Sequence, residues 1–158
     1  MPLLLVFKWS FDYPTDTLLV GQVLKLNCPS TLVSRESKVS GSKGHHSLVL
    51  EHKSFSLYLT SNNSRDSLVY YKSDIVLGKD KTMVNLSFYS EPETEKGYAF
   101  EVGLRYSMND SITSGDFVLS RPKYNSSYFM LRLDLDYNLR VHTYYEHVDW
   151  EAWEITFS

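Results

Sequence analysis

The chain has 158 residues, of which 42% are hydrophobic and 15% aromatic, and its formal net charge is −3. That length suits one domain with a short additional piece, and the apolar share is too high for a disordered chain. The charge leaves no basic face for phosphates, so nucleic acid is not an expected partner. The sequence contains no membrane-spanning run, and Met1–Phe7 is too short to be a secretory signal peptide.

Short runs of alternating apolar and polar residues, separated by turn residues, predict strands throughout. In chain order the predicted strands are Leu3–Phe7, Leu18–Leu26, Thr31–Val39, Ser47–His52, Phe55–Thr60, Ser67–Lys72, Met83–Tyr89, Tyr98–Tyr106, Asp116–Ser120, Tyr128–Leu135, Asn138–Tyr145 and Trp150–Phe157. Abundant Tyr and Phe favour the same conclusion, since both suit half-buried pleated surfaces. Many short strands predict an all-β sandwich, barrel or prism, and the pattern alone does not choose among them.

The alternation is longest near the end of the chain. Between Phe129 and Tyr145 the odd positions are apolar or nearly so, and the even positions from Arg132 to His142 are polar. This pattern predicts either one long strand or a hairpin that turns around Asp136–Asn138. In both cases the two-residue period places the polar side chains on a common face.

No group of residues predicts an enzyme, a metal site or a cofactor. Cys28 is the single cysteine, so it forms no internal disulfide and is expected to be a buried small side chain. His142 and His147 with Glu146 fit no zinc-binding spacing. His45 and His46 lie in a Gly/Ser-rich segment and are expected to be solvated. The sequence has no locally supported Ser/His/Asp set and no carboxylate pair at a defined separation.

Two further groups of residues are relevant to the surface and the core. N-glycosylation sequons begin at Asn62, Asn85, Asn109 and Asn125. Large aromatic side chains usually pack in the cores of small β-proteins rather than serving as platforms for sugar rings. On that ground core packing is favoured for Trp9, Phe11, Trp150 and Trp153. Trp150 and Trp153 would lie on opposite faces of a regular strand, so at most one of them would face solvent.

Two segments resemble a known family. Residues 9–22 read WSFDYPTDTLLVGQ, which is similar to the segment that ends the first bulb-type lectin domain of plant S-domain proteins. Residues 131–145 (LRLDLDYNLRVHTYY) and 148–157 (VDWEAWEITF) resemble the end of the second lectin-like domain in epidermis-specific secreted glycoproteins. These proteins are relatives of the S-locus glycoproteins, and the likeness extends over nearly the whole chain.

This resemblance implies a β-prism II fold, with three four-stranded antiparallel sheets around a pseudo-threefold axis. It implies that residues 1–26 are the end of a first bulb-type lectin domain, and that 27–158 are a second lectin-like domain of a longer protein. It also implies an extracellular location, in the apoplast or cell wall, and a non-enzymatic protein. Its expected partners are mannose-type or cell-wall glycans, or another protein that contacts the β surfaces.

The sugar-binding motif of the family is Q-x-D-x-N-x-V-x-Y, in which alternating polar side chains bind sugar hydroxyls. The corresponding residues are Asp134, Asp136, Asn138, Arg140 and His142, of which Asp136 and Asn138 match. An earlier copy, with no matching position, is predicted at Glu51, Lys53, Phe55, Leu57 and Leu59. Three readings stay open: a solvated face of cross-strand ion pairs, a retained mannose site, or a site for an acidic or bulkier glycan that contacts Arg140.

Overall fold

The structure is a computed structural model and describes residues 14–27, 31–39, 42–91, 101–110, 112–122, 128–145 and 153–158. These residues form strands joined by turns, and no helix occurs among them. The strands are β1 (Thr17–Leu19), β2 (Val23–Lys25), β3 (Thr31–Arg35), β4 (Lys43–Leu50), β5 (Phe55–Leu59), β6 (Leu68–Lys72), β7 (Met83–Glu91), β8 (Glu101–Met108), β9 (Ser114–Ser120), β10 (Tyr128–Leu133), β11 (Leu139–Tyr144) and β12 (Trp153–Phe157).

The strands form three antiparallel sheets of four strands each. Sheet 1 has the order β1-β10-β11-β12, sheet 2 the order β2-β7-β8-β9, and sheet 3 the order β3-β4-β5-β6. The prediction of an all-β fold with three four-stranded antiparallel sheets is therefore confirmed, and the arrangement is that of a β-prism. No helix in the described part of the chain is long and apolar enough to cross a membrane.

One core lies between the three sheets. Each sheet points one set of alternate side chains inward, as the period of two requires. Leu131 from sheet 1, Phe88 from sheet 2 and Leu48 from sheet 3 are all fully buried in it. Because each sheet covers the apolar faces of the other two, none of them could bury its own face alone.

The region 129–145 folds as a hairpin, not as one long strand. β10 and β11 pair with Leu133 opposite Leu139. The turn closes with hydrogen bonds from Tyr137 N to Asp134 O (3.1 Å) and from Asp134 N to Asn138 O (3.0 Å). The register places odd residues opposite odd residues, so the apolar set of both strands faces the core and the polar set faces outward.

Several sequence-based predictions are wrong. The predicted strand Leu18–Leu26 is two strands, because Gly21 adopts a φ of 87° and Gln22 N bonds back to Leu19 O in a turn (2.9 Å). His46 is not solvated: β4 extends through it and buries its ring. Trp153 is 47% exposed because its side chain faces away from the core. Several other predictions fall on residues outside the described ranges: Leu3–Phe7, Trp9, Phe11, Cys28, Glu146, His147 and Trp150.

Candidate functional site

The candidate site lies on the outer face of sheet 1, which carries the even-numbered side chains of β10 and β11. Arg140 and His142 extend from β11, and Asp134 follows the last residue of β10. Asp136 and Asn138 lie in the turn between the two strands and are both exposed. All five residues of the predicted series therefore lie at one end of one hairpin.

Four of these residues form an ion network. Arg140 donates from Nη1 to Asp134 Oδ2 at 3.2 Å, and its two terminal nitrogens bind the two carboxylate oxygens of Asp136, with Nη2 to Oδ2 at 2.5 Å. His142 Nε2 lies 3.0 Å from Asp134 Oδ2. The two-pronged geometry is the one that guanidinium and carboxylate groups favour. Arg140 thus binds the carboxylates of Asp134 and Asp136 at the same time.

This contact determines the charge state of Asp136. Hydrogen bonds from Arg140 lower the pKa of the Asp136 carboxyl to about 2. The same bond, partly opposed by burial, raises the pKa of the Arg140 guanidinium above its ordinary range. Asp136 is therefore ionised at physiological pH, and its remaining lone pairs can accept hydrogen bonds from hydroxyl groups. Its side chain is 56% exposed, so such a donor has access.

Asp136 and Asn138 are both exposed and lie beside each other at the turn. Asn138 Nδ2 lies 3.4 Å from Asp136 Oδ2. Asn138 lines an apolar cavity of about 410 Å³ at the end of the core, and Asp136 does not. The two side chains therefore lie on an open surface. Such a surface suits a weakly bound ligand better than it suits a ligand enclosed in a cavity.

The turn between β10 and β11 contacts sheet 3. Tyr137 has a φ of 77°, a left-handed conformation that costs a non-glycine residue free energy. Its ring stacks on His46 at 3.7 Å between centroids, and its carbonyl accepts a hydrogen bond from Tyr70 Oη at 2.9 Å. Burial, and secondarily the nearby His45, lower the pKa of His46, so its stacked ring is neutral at pH 7.

An aromatic ladder, which sequence reasoning missed, extends over the same face. Tyr128 on β10, Tyr144 on β11 and Trp153 on β12 are register partners. Their ring centroids are 6.2 Å apart from Tyr128 to Tyr144 and 5.5 Å apart from Tyr144 to Trp153. The even numbering of Tyr128 and Tyr144 predicts their common face with Arg140, but their alignment with Trp153 depends on strand pairing.

Sheet 3 has its own polar cluster at the corresponding turn, in a different register from the predicted copy. Glu51 follows β4 as Asp134 follows β10, and Glu51 N bonds Ser54 O at 2.8 Å. The Glu51 carboxylate accepts hydrogen bonds from Ser54 Oγ (2.7 Å), Ser56 Oγ (3.2 Å) and Tyr58 Oη. The turn between β4 and β5 has one residue fewer than the turn between β10 and β11. The outward positions of β5 are therefore even-numbered, one residue away from the odd-numbered positions of the predicted copy.

The predicted copy at Glu51, Lys53, Phe55, Leu57 and Leu59 is therefore wrong as a common face. Phe55 and Leu57 lie in the core, with exposures of 3% and 7%. Lys53 bonds the backbone carbonyls of residues 78, 79 and 81. Tyr58 extends from β5 to the Glu51 carboxylate, as His142 extends from β11 to Asp134.

Sheet 2 carries a third cluster, built around Arg105. Its guanidinium binds both oxygens of Asp116, at 2.7 and 2.9 Å, and Glu91 Oε1 at 2.6 Å. The same group lies 4.5 Å above the centroid of the Tyr89 ring. Burial, followed by the charges of Asp116 and Glu101, raises the pKa of Tyr89 to about 12. The charges of Arg105, Glu91 and Asp116 are thus paired with one another.

The sequons differ in how accessible their asparagines are. Asn62 is exposed in the turn between β5 and β6. Asn85 lies within β7, between two neighbouring strands, and is partly buried. Asn109 is exposed, but its side-chain amide bonds backbone groups of residues 80 and 82. Asn125 lies outside the described residues.

Comparison with known proteins finds EP1 and EP1-like glycoproteins of plants. The chain is 41% identical over 151 residues to the epidermis-specific secreted glycoprotein EP1 of Daucus carota, an alignment that covers 94% of the chain and 39% of that protein. It is 36% identical to EP1-like glycoproteins 4 and 3 of Arabidopsis thaliana, over 94% of the chain and 33% of each protein. No protein-family model matches. The alignments cover nearly the whole of this chain, which spans only about a third of the length of the EP1 and EP1-like glycoproteins that it matches.

Proposed function

We propose that this chain is a lectin-like, non-enzymatic carbohydrate-binding module of a secreted plant glycoprotein, and that its ligand is a mannose-type or cell-wall glycan. The ligand surface is the outer face of sheet 1. The observation that carries the proposal is the aromatic ladder, because it lies on the same face as Asp136, Asn138 and the ion network. Apolar rings beside fixed hydrogen-bonding groups are what a sugar requires, since its ring has both C–H patches and hydroxyls.

The exposed rings supply the apolar part of the surface. Tyr128 is 57% exposed and Trp153 is 47% exposed, so each has an accessible face or edge. Tyr and Trp lose little conformational entropy on binding, which makes them effective contact residues. Arg140 and Tyr144 are four positions apart along β11, about 13 Å in an extended strand. A ligand that contacts both ends of the face is therefore an oligosaccharide.

The turn supplies the polar part of the surface. The Asp136 carboxylate accepts hydrogen bonds from hydroxyls, and such charge-assisted bonds are stronger than neutral ones. The Asn138 amide both donates and accepts. Because Tyr137 holds the turn against sheet 3, these groups lose little freedom when a ligand binds.

The proposed location is extracellular, in the apoplast or cell wall; the name of the Daucus carota relative, a secreted glycoprotein, supports the extracellular part of this proposal. In the proposed arrangement residues 1–26 end a first bulb-type lectin domain and 27–158 form a second. Asn62 is the sequon best placed to carry a glycan, because its side chain is exposed on a turn. Kinship with the bulb-type lectins and S-locus glycoproteins rests on the segments 9–22 and 131–145.

The proposal is tested by titrating the protein with mannose-type and cell-wall oligosaccharides, with binding measured by calorimetry. Trp153→Ala is expected to weaken binding about fivefold, since one aromatic contact contributes roughly 1 kcal/mol. Asp136→Ala combined with Asn138→Ala is expected to abolish it. The control is Tyr71→Ala, because Tyr71 is 45% exposed but lies on sheet 3. Thermal unfolding checks that each variant is folded.

A second candidate function is a structural or protein-interaction domain. The observation that favours it is Arg140, which occupies the position of the motif's Val and already binds Asp134 and Asp136. The exposed apolar residues of edge strand β6 offer a protein surface. Under this alternative no oligosaccharide binds at millimolar concentration to the wild type, to the variants on sheet 1 or to the control.

A further inference from the structure

A cavity of about 210 Å³ lies beside the candidate site, at the seam between sheet 1 and β3 of sheet 3. Its charged lining residues are Asp16, Arg35, Lys38, Arg132 and Asp134. Asp134 also belongs to the ion network, so the cavity and the outer face of sheet 1 share a wall. Three cations face two carboxylates in this space.

The first carboxylate is already saturated. Asp16 is buried, with a side-chain exposure of 4%. Its Oδ2 binds Arg35 Nε at 2.8 Å, and its Oδ1 accepts hydrogen bonds from the hydroxyls of Thr15 (3.2 Å) and Thr17 (3.1 Å). Asp16 therefore anchors Arg35 and has little capacity left for a second cation.

The second carboxylate is also engaged elsewhere. Asp134 Oδ2 receives both Arg140 and His142. Arg132 consequently has only distant partners: its Nε lies 3.4 Å from Asp16 Oδ2 and 4.0 Å from Asp134 Oδ1. That nitrogen is buried and makes no hydrogen bond with either oxygen. The guanidinium is thus incompletely neutralised, although 31% of its side chain is exposed.

Lys38 adds a cation at the rim. Its side chain is exposed, and no described carboxylate forms an ion pair with it. A small concave space with excess positive charge concentrates anions, because its walls limit screening by solvent. A guanidinium beside an ammonium binds a carboxylate through charge-assisted hydrogen bonds.

We infer that this cavity is a subsite for the carboxylate of a uronic acid unit, so that the glycan bound on sheet 1 is an acidic one. The inference rests on the proposed carbohydrate-binding function and names its substrate class. Arg132 and Lys38 receive the carboxylate, and Arg35 is held beside them by Asp16. The rest of the oligosaccharide extends past Asp134 towards the aromatic ladder. Arg140, in contrast, is occupied by its own carboxylates and is not the anion receptor.

The experiment compares three trisaccharides by calorimetry at low ionic strength: trigalacturonate, its full methyl ester and mannotriose. Trigalacturonate is expected to bind about tenfold more tightly than its methyl ester, because the ester keeps the ring and removes the charge. Lys38→Gln is expected to weaken the binding of trigalacturonate several-fold and to leave the binding of the ester unchanged. Lys25→Gln is the matched control, since Lys25 is an exposed lysine on sheet 2.

The outcomes separate this inference from the proposed function. Equal binding of trigalacturonate and its ester, or no effect of Lys38→Gln, overturns the carboxylate subsite while the carbohydrate-binding function stands. Failure of all three trisaccharides to bind overturns both. Displacement of trigalacturonate by inorganic sulfate at the same concentration overturns the uronate assignment and shows a general anion site. A Lys25→Gln effect equal to that of Lys38→Gln also overturns it.

Discussion

Arg140 shows how one side chain changes the chemistry of a hairpin. In the bulb-type lectin motif that this hairpin resembles, the corresponding position holds Val, an apolar contact for the sugar ring. Here a guanidinium with a side-chain exposure of 16% reaches two carboxylates and orders both. An exposed ion pair of this kind contributes little stability, because solvent screens it and both side chains lose freedom. Its main consequence is that Asp136 stays ionised and fixed in direction.

The pKa of Asp136 leads to a prediction about stability against pH. Because its folded-state pKa of about 2 lies below the ordinary value of 3.8, the pair stabilises the protein above pH 3.8. That contribution is lost as the pH falls from 3.8 towards 2. Asp136→Asn should therefore lower the free energy of unfolding by less than about 1 kcal/mol at pH 6. The difference from wild type should vanish near pH 2.

Urea denaturation of both proteins at several pH values between 2 and 6 measures this difference. Comparing differences removes the general effect of acid on the rest of the protein. A difference between wild type and Asp136→Asn that stays constant down to pH 2 would contradict the assigned pKa.

At the scale of elements, sheet 2 contains the closest backbone approach on which the fold depends. The pairing of β8 with β9 shifts register between Val102 and Gly103. A Cβ at Gly103 would lie 2.2 Å from Phe117 O and 3.0 Å from Tyr89 Oη. Glycine is required there because a side chain would push the two strands apart. The Arg105 cluster lies on the same pair of strands, so its geometry depends on this contact.

Gly103→Ala is therefore expected to destabilise the protein by about 1–3 kcal/mol, the usual cost of overpacking. For a domain of this size that corresponds to a fall in Tm of roughly 2–10 °C. Gly78→Ala is the matched control, because its nearest neighbour would be Lys81 Cγ at 3.9 Å. Differential scanning calorimetry measures both. Equal Tm values for the two variants would show that β8 and β9 can separate freely.

At the scale of the whole molecule, residues 17–25 connect two sheets. β1 pairs with β10 and β2 pairs with β7, so this short segment adds an edge strand to sheet 1 and another to sheet 2. Leu18 and Leu24 are fully buried in the common core. Asp16 binds Arg35 of sheet 3, which ties the same segment to the third sheet. The domain boundary between residues 26 and 27 stays a prediction. β1 and β2 nevertheless contribute to the same core as the strands that follow them.

A chain that begins at Asn27 is accordingly expected to lose cooperative unfolding. It lacks two edge strands and leaves the apolar faces beneath Leu18 and Leu24 open to water. Burying a leucine contributes about 1.5–3 kcal/mol, and a small domain has little stability to lose. Circular dichroism and thermal unfolding of the shortened chain beside the full chain test this. A shortened chain that unfolds at the same temperature would show that β1 and β2 are dispensable.

The sequence by itself predicted an all-β chain and the common outward face of the polar residues from Arg132 to His142, because alternation over two residues is a local property that pairing does not alter. The split of the Leu18–Leu26 run at Gly21 was accessible in principle from its turn residues. The tertiary structure alone decided the alignment of Tyr144 with Trp153, the stacking of His46 on Tyr137 and the cavity between Asp16 and Arg132. The first joins residues from neighbouring strands, and the last two join residues from distant parts of the chain. Their contact depends on how three sheets close around one core, which no local pattern encodes.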